Sequence, residues 1–121
     1  MSKERLSLGR RGEDLCEEFL KRKGYRIAER NYRCRMGEID IVAMDGDTVC
    51  FVEVKTRRTP KFGLPQEAVT FRKREKLMRL ALLYMKKKKL EGKSMRFDVV
   101  AVSGGIELIK DAFSAEGRYR Y

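Results

Sequence analysis

The feature that most constrains the fold is a pair of apolar segments separated by two turn-forming residues. Strands are predicted over residues 38–44 and 48–55, in which 39–44 and 49–54 are apolar at nearly every position, and Asp45-Gly46 lies between them. Asp-Gly is typical of a two-residue hairpin turn, so the two segments are predicted to be antiparallel neighbours. Strands this apolar are usually covered on both faces. The sequence therefore predicts a central hairpin with helices or loops on each side of the sheet.

The segments around the hairpin carry patterns that would cover and extend the sheet. An apolar stripe with helical spacing precedes it, and Gly24 is predicted to end this first helix. Thr70 is predicted to cap a second helix over residues 71–89, which permits a parallel crossover. The stripe of the first helix comprises Leu8, Gly12, Leu15, Cys16, Phe19 and Leu20. Further strands are predicted over residues 25–32, 95–102 and 106–111.

These elements predict a small α/β domain with a mixed sheet. A length of 121 residues fits one domain, 1–121, whose tail at 116–121 is expected to fray. The first residues lack the apolar core of a signal peptide. The longest apolar run, residues 80–85, is too short to cross a bilayer, so we expect a cytoplasmic protein with no membrane partner.

The absence of histidine excludes several classes of active site. With no His, the chain cannot form a Ser-His-Asp triad, a His-rich zinc site or an HNH-type nuclease centre. The three cysteines, Cys16, Cys34 and Cys50, include no C-x-x-C pair and are too few for a disulfide framework. We expect each of them to act as a small apolar side chain in a reducing cytosol.

Positive charge is concentrated in one stretch of the chain. The net charge is +11, and residues 54–96 contain 15 Lys and Arg against three acidic residues. Such a segment is typical of a phosphate-binding face, which we favour over a solvated helix face or a membrane surface. The candidate nucleic-acid contacts are Arg57, Arg58, Lys61, Arg72, Lys73, Arg74 and Lys76.

Two acidic residues lie inside the apolar hairpin strands. With Asp45-Gly46 as the turn, Met44 would face Asp47, and Asp40 would face Phe51. This register puts Asp40, Glu53 and Lys55 on one face of the sheet, with the two acids as diagonal neighbours. A four-residue loop would place the acids directly opposite each other, and a three-residue loop would separate them.

Two acids side by side in such strands need a positive partner. Burying a carboxylate is unfavourable, and a second one nearby adds repulsion. Ion pairs with Lys55 and an Arg are one explanation, but two acids and a lysine on one face favour a divalent cation site. Oxygen ligands without His or thiolate indicate Mg²⁺ or Mn²⁺. Lys55 could then position a water, and Glu13 could orient or complete the metal shell.

The order of these residues resembles the PD-(D/E)XK nuclease superfamily. Glu13 on a helix, then Gly37-Glu38-Ile39-Asp40, then Glu53-Val54-Lys55 is similar to the archaeal Holliday-junction resolvases. The chain resembles the YraN family of small bacterial proteins still more closely, over residues 9–14, 24–58, 67–70 and 96–102. Ile39 replaces the proline of the superfamily motif.

The resemblance implies a restriction-endonuclease-like core, with a central mixed sheet flanked by helices. It implies that Asp40 and Glu53 are metal ligands, assisted by the Val54 carbonyl, and that Lys55 is the catalytic lysine. Glu13 would be the helix-borne acid, and Gln66 would be a further polar residue of the site. It also implies a homodimer, as in the resolvases.

The leading hypothesis is a metal-dependent endonuclease acting on branched or structured DNA. One alternative is a non-catalytic nucleic-acid-binding protein built on a nuclease scaffold. Another, based on charge alone, is a basic assembly factor that contacts RNA-rich particles.

Overall fold

A computed structural model of the protein describes residues 3–56 and 69–113. The first helix and the hairpin region have the predicted order, with slightly longer elements. The later helix and strands also match the expected segments closely. In chain order the elements are α1 (Lys3–Arg22), β1 (Arg26–Cys34), β2 (Gly37–Asp45), β3 (Thr48–Thr56), α2 (Phe71–Lys87), β4 (Met95–Val102) and β5 (Ile106–Phe113).

The five strands form one mixed sheet in the order β1-β2-β3-β4-β5. Neighbouring strands are antiparallel except β3 and β4, which are parallel and are connected through α2. A parallel pair needs such a crossover because the chain must return to the end of the sheet where the first strand began. The predicted α/β fold with a mixed sheet and flanking helices is confirmed, and it is consistent with a nuclease-like core.

The sheet is buried on both faces, as the apolar hairpin predicted. On one face, Val42 and Phe51 pack with Leu77 and Leu80 of α2. The other face carries a second cluster, in which Ala43 and Cys50 pack with buried residues of α1. Because successive strand residues point to opposite faces, β2 and β3 contribute to both clusters in alternation.

The apolar stripe of α1 is centred differently from the prediction. Cys16 and Leu20 are fully buried, whereas Leu15 is 45% exposed. Gly12 belongs to the buried side, where a Cβ would lie 3.1 Å from the Thr56 hydroxyl. α1 approaches the end of β3 closely at Gly12, where only a small residue fits. The side of the helix that carries Gly12, Cys16 and Leu20 is therefore the one that packs on the sheet.

The end of α1 is confirmed at the predicted glycine. Gly24 has φ +95°, which favours glycine, and its N–H donates to the Lys21 carbonyl. The next N–H, that of Tyr25, donates to the Leu20 carbonyl at 3.0 Å. These two bonds form a Schellman motif, which satisfies helix carbonyls and turns the chain into β1.

The turn of the β2–β3 hairpin lies one residue later in the chain than predicted, which changes the register of the two strands. Asp45 pairs with Thr48, so the turn residues are Gly46-Asp47 rather than Asp45-Gly46. Val42 therefore faces Phe51, and the prediction that Asp40 faces Phe51 is wrong. Gly46 has φ +62°, which explains why glycine takes the first turn position. The observed register is the one that sequence analysis assigned to a longer loop.

Two further expectations concern membrane spans and cysteines. Within residues 3–56 and 69–113, no helix is long and apolar enough to cross a membrane. Cys16 and Cys50 are buried as expected, but Cys34 is exposed at the end of the edge strand β1. The prediction that all three cysteines act as packed apolar groups is therefore wrong for Cys34.

Candidate metal and phosphate site

Asp40 and Glu53 line the same cavity between the sheet and α2. Ile41 pairs with Val52 in the antiparallel β2–β3 ladder. Asp40 and Glu53, which occupy the next positions on the two strands, therefore lie opposite each other. The cavity has a volume of about 230 Å³ and is polar on the sheet side and partly apolar on the helix side. Its lining residues are Glu38, Asp40, Glu53, Lys73, Lys76, Leu77 and Leu80.

Glu53 is the more buried acid, and two lysines share its charge. Its carboxylate belongs to a residue only 5% exposed. The Lys73 ammonium, from the first turn of α2, donates a hydrogen bond to Glu53 Oε1. Lys55 Nζ lies 3.7 Å from the same oxygen. Glu53 therefore has two ammonium neighbours at a buried position.

Asp40 has a different environment, although it lies beside Glu53. The Val54 backbone N–H donates to Asp40 Oδ2 at 2.9 Å, which fixes the carboxylate against β3. Burial, and next the negative charge of Glu53, raise the pKa of Asp40 to about 6. The hydrogen bond from Val54 and the charge of Lys73 oppose this increase without cancelling it. Among the described residues, no lysine or arginine side chain is in ion-pair contact with Asp40.

The two lysines influence each other as well as Glu53. Burial, and next the charge of Lys73, lower the pKa of Lys55. Burial also acts to lower the pKa of Lys73, but its hydrogen bond to Glu53 and the charge of Glu53 outweigh this effect and raise it. Lys73 is therefore the firmly protonated partner of Glu53, and Lys55 is the more easily deprotonated amine.

Comparison with other proteins identifies the family. A sequence profile of the uncharacterised protein family UPF0102 matches residues 12–102. The chain belongs to UPF0102. The resemblance to the YraN family, which is this same family, is thereby confirmed.

Relatives within UPF0102 match nearly the whole chain. A UPF0102 protein of Syntrophus aciditrophicus is 53% identical over 119 residues, which cover 93% of this chain and 94% of the relative. One from Moorella thermoacetica is 49% identical, covering 93% of this chain and all of the relative. One from Caldicellulosiruptor saccharolyticus is 47% identical, covering 88% and 96%. The region matched by UPF0102 includes β2, β3 and α2, and hence the whole cavity.

The donor set of this UPF0102 chain suits a hard divalent cation. Burial and next the charge of Glu53 raise the pKa of Asp40, so added positive charge would stabilise the two adjacent carboxylates. Among residues 3–56 and 69–113, no cluster of three or more His, Cys, Asp or Glu side chains could hold a metal. Mg²⁺ is commonly bound by one or two carboxylates, with waters and substrate phosphates completing its shell. The residues present therefore fit Mg²⁺ or Mn²⁺.

Glu13 lies outside the cavity lining. It is 3.7 Å from Arg30 of β1, and that guanidinium also contacts Asp14 at 2.7 Å and Glu17 at 3.6 Å. Burial, followed by the charges of Asp40 and Glu13, raises the pKa of the Cys16 thiol to about 12. The contact that holds Glu13 in place is the ion pair with Arg30.

The predicted phosphate contacts have different environments. Arg57, Arg58, Lys61 and the further candidate Gln66 lie outside the described residues. Arg72 is exposed on α2, whereas Arg74 donates to the Val69 carbonyl at 2.9 Å and lies over the Phe113 ring. Lys76 lines the cavity and covers Gly37, where a Cβ would lie 2.8 Å from the Lys76 Cε.

The place of Lys73 was missed by sequence analysis, which assigned it only to nucleic-acid contact. The Thr70 side chain accepts a hydrogen bond from the Lys73 N–H at 3.3 Å, which confirms Thr70 as the N-cap and puts Lys73 in the first turn. A signal was present, because α2 follows β3 in a crossover. Its first turn therefore returns towards the strand that carries Glu53.

Asp98, the second buried acid, lies on the opposite face of the sheet. It is fully buried and accepts hydrogen bonds from the Tyr25 hydroxyl at 2.9 Å, Arg96 at 2.9 Å and the Asp111 N–H at 2.8 Å. Arg96 also contacts Asp45 at 2.9 Å. Because its carboxylate is satisfied by protein groups, Asp98 stabilises the fold and is not a further ligand of the cavity.

Proposed function

We propose that the chain is a metal-dependent endonuclease that hydrolyses phosphodiester bonds in branched or structured DNA. The observation that carries this proposal is the pairing of Asp40 and Glu53 in one cavity, beside Lys55 and Lys73. A protein that only binds phosphate gains nothing from two adjacent acids facing its lysines, because they repel the ligand. A divalent cation makes the same acids useful.

The proposal gives separate roles to the two acids and to the Val54 and Lys55 groups beside them. Asp40 and Glu53 would hold Mg²⁺ or Mn²⁺, with the Val54 carbonyl as a further ligand. When bound, such a cation offsets negative charge on a phosphoryl oxygen and acidifies a bound water. Lys55, whose pKa is lowered, can orient the attacking water by hydrogen bonding or stabilise charge that develops on the phosphate.

The basic surface around the cavity supports a nucleic acid as the substrate. Arg72 and Arg79 are exposed on α2, which also contributes Lys73 and Lys76 to the cavity, and Lys86–Lys89 are exposed at and just beyond its C-terminal end. Backbone phosphates can be contacted by such side chains without reading sequence. We therefore propose recognition by DNA shape, as expected for a junction or a flap.

A cleavage assay with matched variants tests the proposal. Labelled four-way junction, flap, single-stranded and linear duplex DNA would be incubated with Mg²⁺ or Mn²⁺. Asp40→Asn and Glu53→Gln should reduce cleavage by more than about a hundredfold, because even outer partners of metal ligands contribute about 10–100-fold. Glu38→Gln is the control, since Glu38 lines the same cavity but pairs with Arg33 at 2.7 Å. Equal cleavage by all variants would contradict the site.

A non-catalytic nucleic-acid-binding protein is the second candidate. The Lys73–Glu53 ion pair favours it, because this pair neutralises Glu53 without a metal. It predicts binding that weakens steeply with salt, no metal requirement and no product. Salt-dependent binding to the same DNA panel, with no product in either metal, would support it.

A further inference from the structure

Lys73 occupies the place beside Glu53 that a second cation would need. Its ammonium contacts Glu53 Oε1 more closely than Lys55 does, although Lys55 belongs to the same strand as Glu53. A carboxylate oxygen engaged by an ammonium is a weaker ligand for another cation. Lys73 and a divalent cation therefore compete for Glu53.

The environment of Asp40 favours the divalent cation over Lys73 in this competition. Among the hydrogen bonds and ion pairs of the described residues, Asp40 is held by the Val54 N–H and by no ammonium. Lys73 therefore offsets the charge of Glu53, whereas no lysine or arginine in the described part of the chain contacts Asp40. A dication placed between the two acids would neutralise both, which a single ammonium at Glu53 does not do.

Lys73 is also placed so that it can leave. Its side chain is 41% exposed, and it extends from the first turn of α2. A lysine ammonium on its flexible four-carbon stem can exchange one anionic partner for another by changing rotamers. The nearest alternative partner in the proposed function is a phosphate of the bound nucleic acid.

We propose that Lys73 is a resident counter-ion, which a divalent cation displaces from Glu53 and which then binds a backbone phosphate. This inference rests on the proposed function for the presence of the metal and the nucleic acid. It adds that metal and DNA bind with positive coupling, because the metal frees the ammonium that DNA uses. Coupling of this kind is reciprocal, so DNA must also strengthen metal binding.

Direct measurement of Mn²⁺ affinity tests the displacement without relying on cleavage. Binding would be followed by electron paramagnetic resonance in the absence of DNA, for the parent, Lys73→Met and Lys76→Met. Lys73→Met should bind Mn²⁺ about tenfold more tightly, because the competing ammonium is removed. Lys76→Met is the matched control, since Lys76 lies one turn further along α2 and lines the same cavity. It should change the affinity much less.

The parent protein offers a second measurement if Lys73→Met does not fold. Acetylation of lysine amines, read residue by residue by mass spectrometry, should become faster at Lys73 when Mn²⁺ is added. Lys76 serves as the internal reference. Unchanged or slower acetylation of Lys73 would overturn the inference.

The outcomes separate this inference from the proposed function. Parent protein that binds no Mn²⁺ contradicts both. Mn²⁺ binding with the same affinity in Lys73→Met contradicts the inference alone and leaves the metal site in place. Tighter Mn²⁺ binding in Lys73→Met, together with loss of the metal-dependent gain in junction-DNA affinity, supports the whole proposal.

Discussion

At the scale of single residues, the two acids of the cavity differ in their charge balance. Glu53 is deeply buried but has Lys73 and Lys55 beside it. Asp40 is less buried, yet its pKa is raised to about 6 by burial and by the charge of Glu53. Ionisation of Asp40 therefore destabilises the folded protein.

This difference predicts that Asp40→Asn stabilises the protein at high pH. In the unfolded chain the pKa of Asp is about 3.9. Because the folded pKa is higher, the stabilising contribution of Asp40 is present below pH 4 and is lost as the pH rises through 6. With a chelator present, Asp40→Asn should increase the free energy of unfolding by about 1–3 kcal/mol at pH 8 and little at pH 4.

Urea unfolding at both pH values measures the effect. Asp47→Asn is the control, because Asp47 is exposed in the hairpin turn. An Asp40→Asn variant that is less stable than the parent at pH 8 would show that the fold depends on the ionised carboxylate.

At the scale of elements, α2 links the fold to the cavity. Its inner side packs Leu77 and Leu80 on the sheet, and its first turn places Lys73 on Glu53. That turn contains no acidic residue to offset the positive end of the helix dipole. The Thr70 side chain caps the turn that carries Lys73 by accepting a hydrogen bond from the Lys73 N–H.

Removing the cap should destabilise α2 at this end. Thr70→Ala is expected to reduce the free energy of unfolding by about 1 kcal/mol, because an N–H of the first turn loses its acceptor. Thr70→Ser keeps the hydroxyl and should be close to the parent. Chemical denaturation followed by circular dichroism measures both variants, and equal stability of Ala and Ser would contradict the capping role.

At the scale of the whole molecule, the network around Asp98 joins distant segments of the chain. Tyr25 follows α1, Arg96 and Asp98 belong to β4, and Asp45 ends β2. All these groups lie on the α1 face, where they hold the helix end, the hairpin and the last strands together. The cavity lies on the other face, so the network supports the scaffold.

Breaking the network should destabilise the protein without altering the chemistry of the cavity. Asp98→Ala leaves Arg96 and the Tyr25 hydroxyl without their acceptor and should reduce the free energy of unfolding by about 3–5 kcal/mol. Asp47→Ala, at an exposed site, is the control. Mn²⁺ affinity measured well below the unfolding midpoint should match that of the parent. A change in this affinity with little loss of stability would instead link Asp98 to the metal site.

Local sequence patterns were enough to predict the order of elements and the two residues of the acid pair. Apolar runs, the Gly24 helix end and the Thr70 cap are local signals, so they predict helices and strands without knowledge of the fold. The shared face of Asp40 and Glu53 followed from strand alternation, and it survived the error in the hairpin turn because that error shifted the pairing by an even number of residues.

Contacts between side chains of different helices and strands could be known only from the folded structure. The buried side of α1 depends on the close approach of Gly12 to Thr56, which no periodicity reveals. The contact of Lys73 with Glu53 depends on how α2 returns over β3, and the Asp98 network depends on four segments converging. These contacts are long-range in sequence and are fixed by packing, whereas helix ends and strand faces are fixed by neighbouring residues.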